Sequence, residues 1–243
     1  MELQTSLHRV GSDLVNSYLV VDDRGVTVID AGLPGQWSDL KSELALLGRT
    51  PDDIRGVILT HGDSDHLGFA ERLRRDHGVT VYVHERDAQR ARGETGKKNP
   101  SWGKVKVGPL LQFLWYAGVR GGMKTISVTE VTEIVDGQVL DLPGSPRVIH
   151  TPGHSPGSIC IHVPAVGAVF VGDALTTRHV LTGREGPQPA PFTLDPSRAL
   201  DSLSRLTDLE VTWVLPGHGP PWRGGAAEAV SRIRQVAAEA ESS

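Results

Sequence analysis

Two histidines and two aspartates fall within six positions of the stretch LTHGDSDHLG, residues 59–68: His61, Asp63, Asp65 and His66. Imidazole nitrogens and carboxylate oxygens are the usual donors to zinc and to harder divalent ions. Residues of the same kind recur after short apolar runs. RVIHTPG leads into His154, VFVG into Asp173, and WVLPG into His218. Each time a buried-type strand ends, usually through glycine or proline, and presents a ligand-type side chain. Positions just past sheet strands are held by a rigid scaffold yet face a crevice. Four histidines and three aspartates make seven potential donors, whereas one ion rarely takes more than about four to six. Two ions are therefore expected. Such a pair can lower the pKa of a shared water and clamp the oxyanion formed when that water attacks a carbonyl. The one cysteine, Cys160, rules out a closed thiolate zinc site and any intrachain disulfide.

The elements that must position these residues follow from periodicity. NSYLVVDD and VTVIDAG flank the turn Asp22-Asp23-Arg24-Gly25 and read as a hairpin. Trp37, Leu40, Leu44 and Leu47 recur at helical spacing before Gly48. RGVILT is a buried-type strand, Leu67 to Arg75 a helix, and VTVYVHE a strand. Later strands are RVIH, SICIHV, AVFVG and VTWVLPG. Asp195-Pro196 opens a helix carrying Leu200, Leu203 and Leu206, and a last helix spans about 226–240 with Val230, Ile233 and Ala237 on one face. The stretch 93–132 interrupts this rhythm. It starts basic (Lys97, Lys98, Lys104, Lys106) and turns apolar in LLQFLWYAGV. It reads as an insertion, partly helical, that packs on the body, covers the site or forms a dimer contact.

With 243 residues the chain has ample core for a globular protein, read as one domain over 1–243. Its net charge of −4 offers no global attraction for nucleic acid or an anionic membrane. No apolar run approaches the roughly 18 residues of a membrane span. MELQTSLHRVGSD lacks the apolar core of a signal peptide. A cytoplasmic protein acting on a small molecule is expected, possible homodimerisation aside.

The arrangement resembles the metallo-β-lactamase superfamily, whose pattern is HxHxDH, then His, Asp and His, each at a strand end. The chain matches at His61, Asp65, His66, His154, Asp173 and His218. TPGHSPGS, GDAL, LPGHG and the early VIDAG also look like the family's, and the likeness runs from about Asn16 to the last helix. The resemblance implies an α+β fold, a four-layer αββα sandwich. Two mixed sheets pack face to face, helices cover the outer faces, and two divalent metals, zinc by default, sit at one edge. It implies that His61, residue 63 and His154 hold one ion, that Asp65, His66 and His218 hold the other, and that Asp173 bridges them. Asp65 and Asp173 become the catalytic carboxylates, Asp65 as proton shuttle where one ion is bound. Asp30 typically supports the site from behind. The implied activity is hydrolysis of a lactone, ester or thioester, less readily a β-lactam, by a metal-bridged hydroxide. The alternatives are a mononuclear-iron persulfide dioxygenase and a non-catalytic binding protein with a degraded site.

Asp63 departs from the family pattern, where histidine is usual. An aspartate is shorter and adds a negative charge. Three ligand carboxylates and a hydroxide against two divalent ions leave a neutral core, where histidine would leave +1. That softens the Lewis acid and shifts preference toward manganese or iron. Asp63 also reads as a local cap or turn residue. Elsewhere, His8, His77 and His84 read as structural and without clustered partners, His150 as a strand residue, His162 as packing or surface, and Cys160 as core. Ser155 and Ser158 are placed to hydrogen-bond near the metals, and His179 to overhang the pocket. Thr176 stands where related lactonases often carry a tyrosine. The pocket walls are expected from 33–37, 93–132 and 176–191. No GxSxG elbow supports serine-hydrolase chemistry.

Overall fold

The computed structural model describes residues 1–95, 104–124 and 126–241; Lys97 and Lys98 lie outside them. A seven-stranded sheet runs in chain order: β1 (Glu2–Gln4), β2 (Leu7–Ser12), β3 (Val15–Asp22), β4 (Gly25–Ile29), β5 (Ile54–Ile58), β6 (Val81–His84) and β7 (Thr132–Ile134). Pairing is antiparallel from β1 to β4 and parallel from β4 to β7. The second sheet holds β8 (Arg147–His150), β9 (Ile159–Val163), β10 (Ala168–Gly172) and a last strand, Trp213–Pro216. Between the last two in sequence lies a separate hairpin of β11 (Thr176–Arg178) and β12 (Glu185–Gln188), which makes Trp213–Pro216 β13. Pairs β8–β9 and β9–β10 are antiparallel and β10–β13 parallel, so both large sheets are mixed.

Alternation along the strands builds the layers. Tyr18, Val20, Ile29 and Ile58 from one sheet meet Ile161, Phe170 and Leu215 from the other. Their neighbours Leu19, Val28 and Val57 point outward, onto Leu40, Leu44 and Leu73. Those three belong to α1 (Trp37–Leu46) and α2 (Ala70–His77). In the second sheet Cys160, Val169 and Val171 face outward onto Leu203, Leu206, Val230 and Ile233. The four-layer αββα order follows from this period of two.

Two boundaries differ from the periodicity. Helix α2 starts at Ala70 rather than Leu67. Gly68 N–H bonds Gly32 O (2.7 Å) and Phe69 N–H bonds Ala31 O (3.0 Å), tying residues 67–69 to the loop after β4. A Cβ on Gly68 would fall onto the backbone of Gly32 and Leu33, so glycine is required there. Second, β6 and β7 are parallel, and a parallel pair needs a crossover. The stretch 93–132 makes up most of that crossover and ends at the first residue of β7. It contains α4 (Val107–Val119), after the short α3 (Ala88–Ala91). Phe113, Tyr116 and Ala117 of α4 pack on Leu14, Val15 and Leu33, while Leu111, Trp115 and Val119 are exposed. Helices α5 (Pro196–Ser202), capped by the Asp195 side chain on Arg198 N–H, and α6 (Gly225–Glu241) complete the second outer layer. Among the described residues, no helix is long and apolar enough to cross a membrane.

Candidate metal centre

Strands β8, β10 and β13 point the same way, so the loops holding His154, Asp173 and His218 leave one edge of their sheet. Those loops meet residues 61–66, which follow β5 of the other sheet. All seven expected side chains converge there. Nε2 of His154 is 3.3 Å from Asp63 Oδ2 and 3.7 Å from Asp173 Oδ2. Nε2 of His61 is 3.7 Å from Asp63 Oδ2. Nε2 of His218 is 3.4 Å from Asp65 Oδ2 and 3.2 Å from Asp173 Oδ2, and Nε2 of His66 is 3.7 Å from Asp173 Oδ1. Donors bonded at about 2.0–2.2 Å to one tetrahedral ion stand roughly 3.3–3.6 Å apart. The spacing fits that of ligands around shared ions.

The opposite ring nitrogens decide the tautomers. Each Nδ1 faces a group that accepts its proton. His66 Nδ1 meets Asp30 Oδ2 at 2.9 Å, and His218 Nδ1 donates to Leu14 O at 2.5 Å. His61 Nδ1 meets Thr60 Oγ1 at 3.0 Å, whose own proton goes to Asp30 Oδ2. His154 Nδ1 meets Thr193 Oγ1 at 3.2 Å, whose proton goes to Ala190 O. With Nδ1 protonated four times, four Nε2 lone pairs face the centre, as metal-bound imidazoles require. His61 Nε2, His66 Nε2 and Asp173 Oδ1 are buried with no hydrogen-bond partner. Buried orphans cost free energy unless something else satisfies them, and a cation does. Three ligand-type groupings emerge: His61, Asp63 and His154; Asp65, His66 and His218; and His61, His66 and Asp173. The residues fit a divalent-metal centre.

Electrostatics agree. Burial opposes charge on His66, but Asp30, Asp65 and Asp173 outweigh it and raise its pKa to about 10. Burial likewise opposes charge on His218, and Asp173 and Asp65 carry it up to about 9. Burial, with His66 and His154 beside it, pushes His61 well down, toward the neutral ring. Asp173 is held far below the carboxylate range: burial works against that, and His218, His66 and His154 overcome it. The carboxylates favour a proton on the buried rings of His66 and His218, and metal binding competes with that proton for the Nε2 lone pairs.

Asp63 is not a helix cap, since α2 begins seven residues later and residues 67–69 are tied elsewhere, but it does open a turn, its carbonyl accepting from His66 N–H at 2.9 Å. Its Oδ1 accepts from Arg90 Nε, leaving Oδ2 to face His61 and His154. Arg90 corrects the charge reading drawn from sequence: one guanidinium cancels the extra carboxylate and returns the local balance to that of a histidine. The preference of an oxygen donor for harder ions stands.

Ser155 and Ser158 turn away from the centre. They bond each other (2.8 Å), and Ser155 Oγ donates to Asp87 Oδ2 (2.6 Å). Fully buried Asp87 also accepts from Gly62 N–H (2.9 Å) and Gly157 N–H (2.7 Å), joining the His61 loop to the His154 loop. Asn16 Nδ2 donates to Pro216 O and Gly219 O, on both sides of His218. Thr176 Oγ1 donates to His218 O at 2.7 Å instead of facing the pocket. Asp87, Arg90, Asn16 and Thr193 carry no local motif, and only their partners reveal them. Asp30 sits at φ 58°, a strained backbone that the bonds to Thr60 and His66 hold in place. His84, read as unclustered, stacks on His150 with ring centroids 4.1 Å apart. His8 pairs with Glu43 and His77 with Asp52, both structural. Phe113 of α4 stands edge-on to His218, centroids 6.4 Å apart, and His179 lines a cavity beside the centre.

The chain belongs to the metallo-beta-lactamase superfamily, whose family model matches residues 10–218. Among its relatives is "Probable metallo-hydrolase YflN" of Bacillus subtilis (strain 168), 27% identical over 92% of this chain and 87% of that protein. The same organism's YobT is 28% identical over 93% of this chain and 91% of its own length. Among solved structures, the metallo-beta-lactamase family protein TTHA1429 from Thermus thermophilus superposes with a TM-score of 0.69 at 22% identity, covering 98% and 81% of the two chains. TTHA1623, solved in a di-iron-bound form, matches with a TM-score of 0.62 at 26% identity over 93% of this chain and 96% of that one.

Proposed function

We propose that this metallohydrolase cleaves a carbonyl substrate, a lactone, ester or thioester, at a dinuclear centre. His61, Asp63 and His154 would hold one ion and Asp65, His66 and His218 the other, with the Asp173 carboxylate close to both groups. The observation that carries this reading is the set of four Nε2 lone pairs aimed, with every Nδ1 occupied, at three aspartates. Divalent ions there supply Lewis-acid activation of water and of the substrate carbonyl. The chain's own groups orient that chemistry. Asp30 and Thr60 fix the His61 and His66 rings, Thr193 fixes His154, and the Leu14 carbonyl fixes His218. Asp63 and Asp65 are the more exposed members and mark the side from which substrate arrives. Asp65, the open carboxylate beside His218, is placed to take a proton from an incoming water. Zinc is the default occupant. The Asp63 oxygen and the di-iron form of TTHA1623 keep iron and manganese in play.

Elemental mass spectrometry of protein purified without chelators tests the centre. Two divalent ions per chain support it. One iron per chain favours a mononuclear dioxygenase, and none overturns the metallohydrolase reading. With a panel of lactones, esters, thioesters and a chromogenic lactam, His154→Ala and Asp173→Ala are expected to abolish whatever hydrolysis the wild type shows.

A further inference from the structure

A cavity of about 740 Å³ opens beside the metal centre. Two wall residues belong to the centre's surroundings: Ala174 follows Asp173, and Thr193 holds His154 Nδ1. The rest of the wall is largely hydrocarbon, with Ala190, Phe192, Ala199, Leu200, Ile233 and Val236. Phe192 is held at φ 61°, a left-handed conformation rare outside glycine and the kind of strain that gathers at binding sites. Three exposed cations stand at the mouth: Lys104, Lys106 and Arg184. Arg184 lies 3.7 Å from Glu239. Among the described residues, no carboxylate lies within 4 Å of Lys104 or Lys106. The chemistry is divided by position: candidate ligands behind one flank, hydrocarbon along the wall, exposed positive charge at the entrance.

We infer that the cavity takes the acyl chain of an amphiphilic anion, with the scissile carbonyl toward Ala174 and Thr193 and an oxyanion, carboxylate or phosphate, on Lys104 and Lys106. This assignment rests on the hydrolase reading for the carbonyl but not for the chain. A chain in the cavity leaves water methylene by methylene, and each one tightens binding by roughly three- to fourfold. A distal anion meets two ammonium groups that have no competing carboxylate among the described residues. A cationic amphiphile of the same length meets repulsion.

Calorimetric titration with decanoate, decyl phosphate, butyrate and decyltrimethylammonium tests binding without turnover. Decanoate or decyl phosphate is expected to bind at least tenfold more tightly than butyrate, and the ammonium compound not at all; the preferred anion separates carboxylate from phosphate. Lys104→Glu with Lys106→Glu is expected to weaken the decyl anion at least tenfold. In turnover, the 4-nitrophenyl monoester of sebacic acid should exceed 4-nitrophenyl acetate in kcat/KM by at least tenfold. Ala237→Trp, on the cavity face of α6, should collapse that ratio, with circular dichroism verifying the fold. Equal affinity for decanoate and butyrate, or for the anionic and cationic amphiphiles, overturns the inference. Tight decanoate binding with no hydrolysis of any ester upholds the cavity assignment and overturns the hydrolase reading.

Discussion

Asp63 and Arg90 act as one unit. The guanidinium occupies Oδ1 and leaves Oδ2 toward His61 and His154. A buried or half-buried carboxylate without that partner would add a full negative charge to the centre, and histidine adds none. Removing Arg90 therefore frees both oxygens and changes the charge. Arg90→Ala is expected to alter metal affinity by about tenfold or more, the range for groups that orient a ligand. Asp63→His in the Arg90→Ala background should restore it, because a neutral imidazole needs no counter-ion. Competition with a chromogenic chelator measures both variants. Additive effects of the two substitutions would show that the residues act independently.

Between elements, two carboxylate junctions hold the loops in place, one buried and one partly exposed. Asp87, from the turn after β6, spans the His61 and His154 loops. Asp87→Ala leaves two buried backbone N–H groups unpaired and should destabilise the fold by about 2–4 kcal/mol in urea denaturation. Glu71 on α2 anchors the return from the crossover. It accepts from Arg74 and from Thr129 N–H and Oγ1. The Arg74 bond, chiefly, lowers its pKa from 4.5 to about 2, with burial opposing and Thr129 assisting. A depressed carboxyl pKa contributes stability that is present above the unfolded value and fades as pH falls toward the folded one. The stability difference between wild type and Glu71→Gln should therefore be full at pH 6 and shrink steadily below pH 4.5. A pH-independent difference would remove the ionised carboxylate from that role. The crossover also brings α4 across the site's edge, with Phe113 beside His218 and Arg178 donating to Gln112 Oε1.

Over the whole molecule, the centre lies where the two sheets meet. His61, Asp63, Asp65 and His66 come from the seven-stranded side, and His154, Asp173 and His218 from the four-stranded side. Ions bound there ligate only the folded arrangement, so they stabilise it by mass action. At a free concentration of about a thousand times Kd the gain is about 4 kcal/mol, which is roughly 8–16 °C in Tm for a chain of this size. Chelator-treated protein should melt lower by that order and recover on metal addition, as read by differential scanning fluorimetry. An unchanged Tm would mean that the sheets do not depend on the ions.

The candidate donors were legible in the chain before folding, because four of them crowd into residues 61–66 and each group follows a strand with a clear apolar run. So were the four layers, because alternate residues such as Leu19 and Val20, or Val169 and Phe170, serve opposite faces. Local spacing placed Asp63 in the cluster but could not reveal Arg90, 27 positions away, and so its charge was misjudged. Which ring nitrogen faces inward is set only on folding, since the acceptors for Nδ1 are Asp30, Thr60, Thr193 and the Leu14 carbonyl, distant in sequence except for Thr60. Folding likewise turned Ser155, Ser158 and Thr176 away from the centre and opened a hydrocarbon cavity between the hairpin loop, α5 and α6. Local pattern specifies which chemistry is present. Its orientation, protonation and surroundings come from contacts between segments that the chain brings together only on folding.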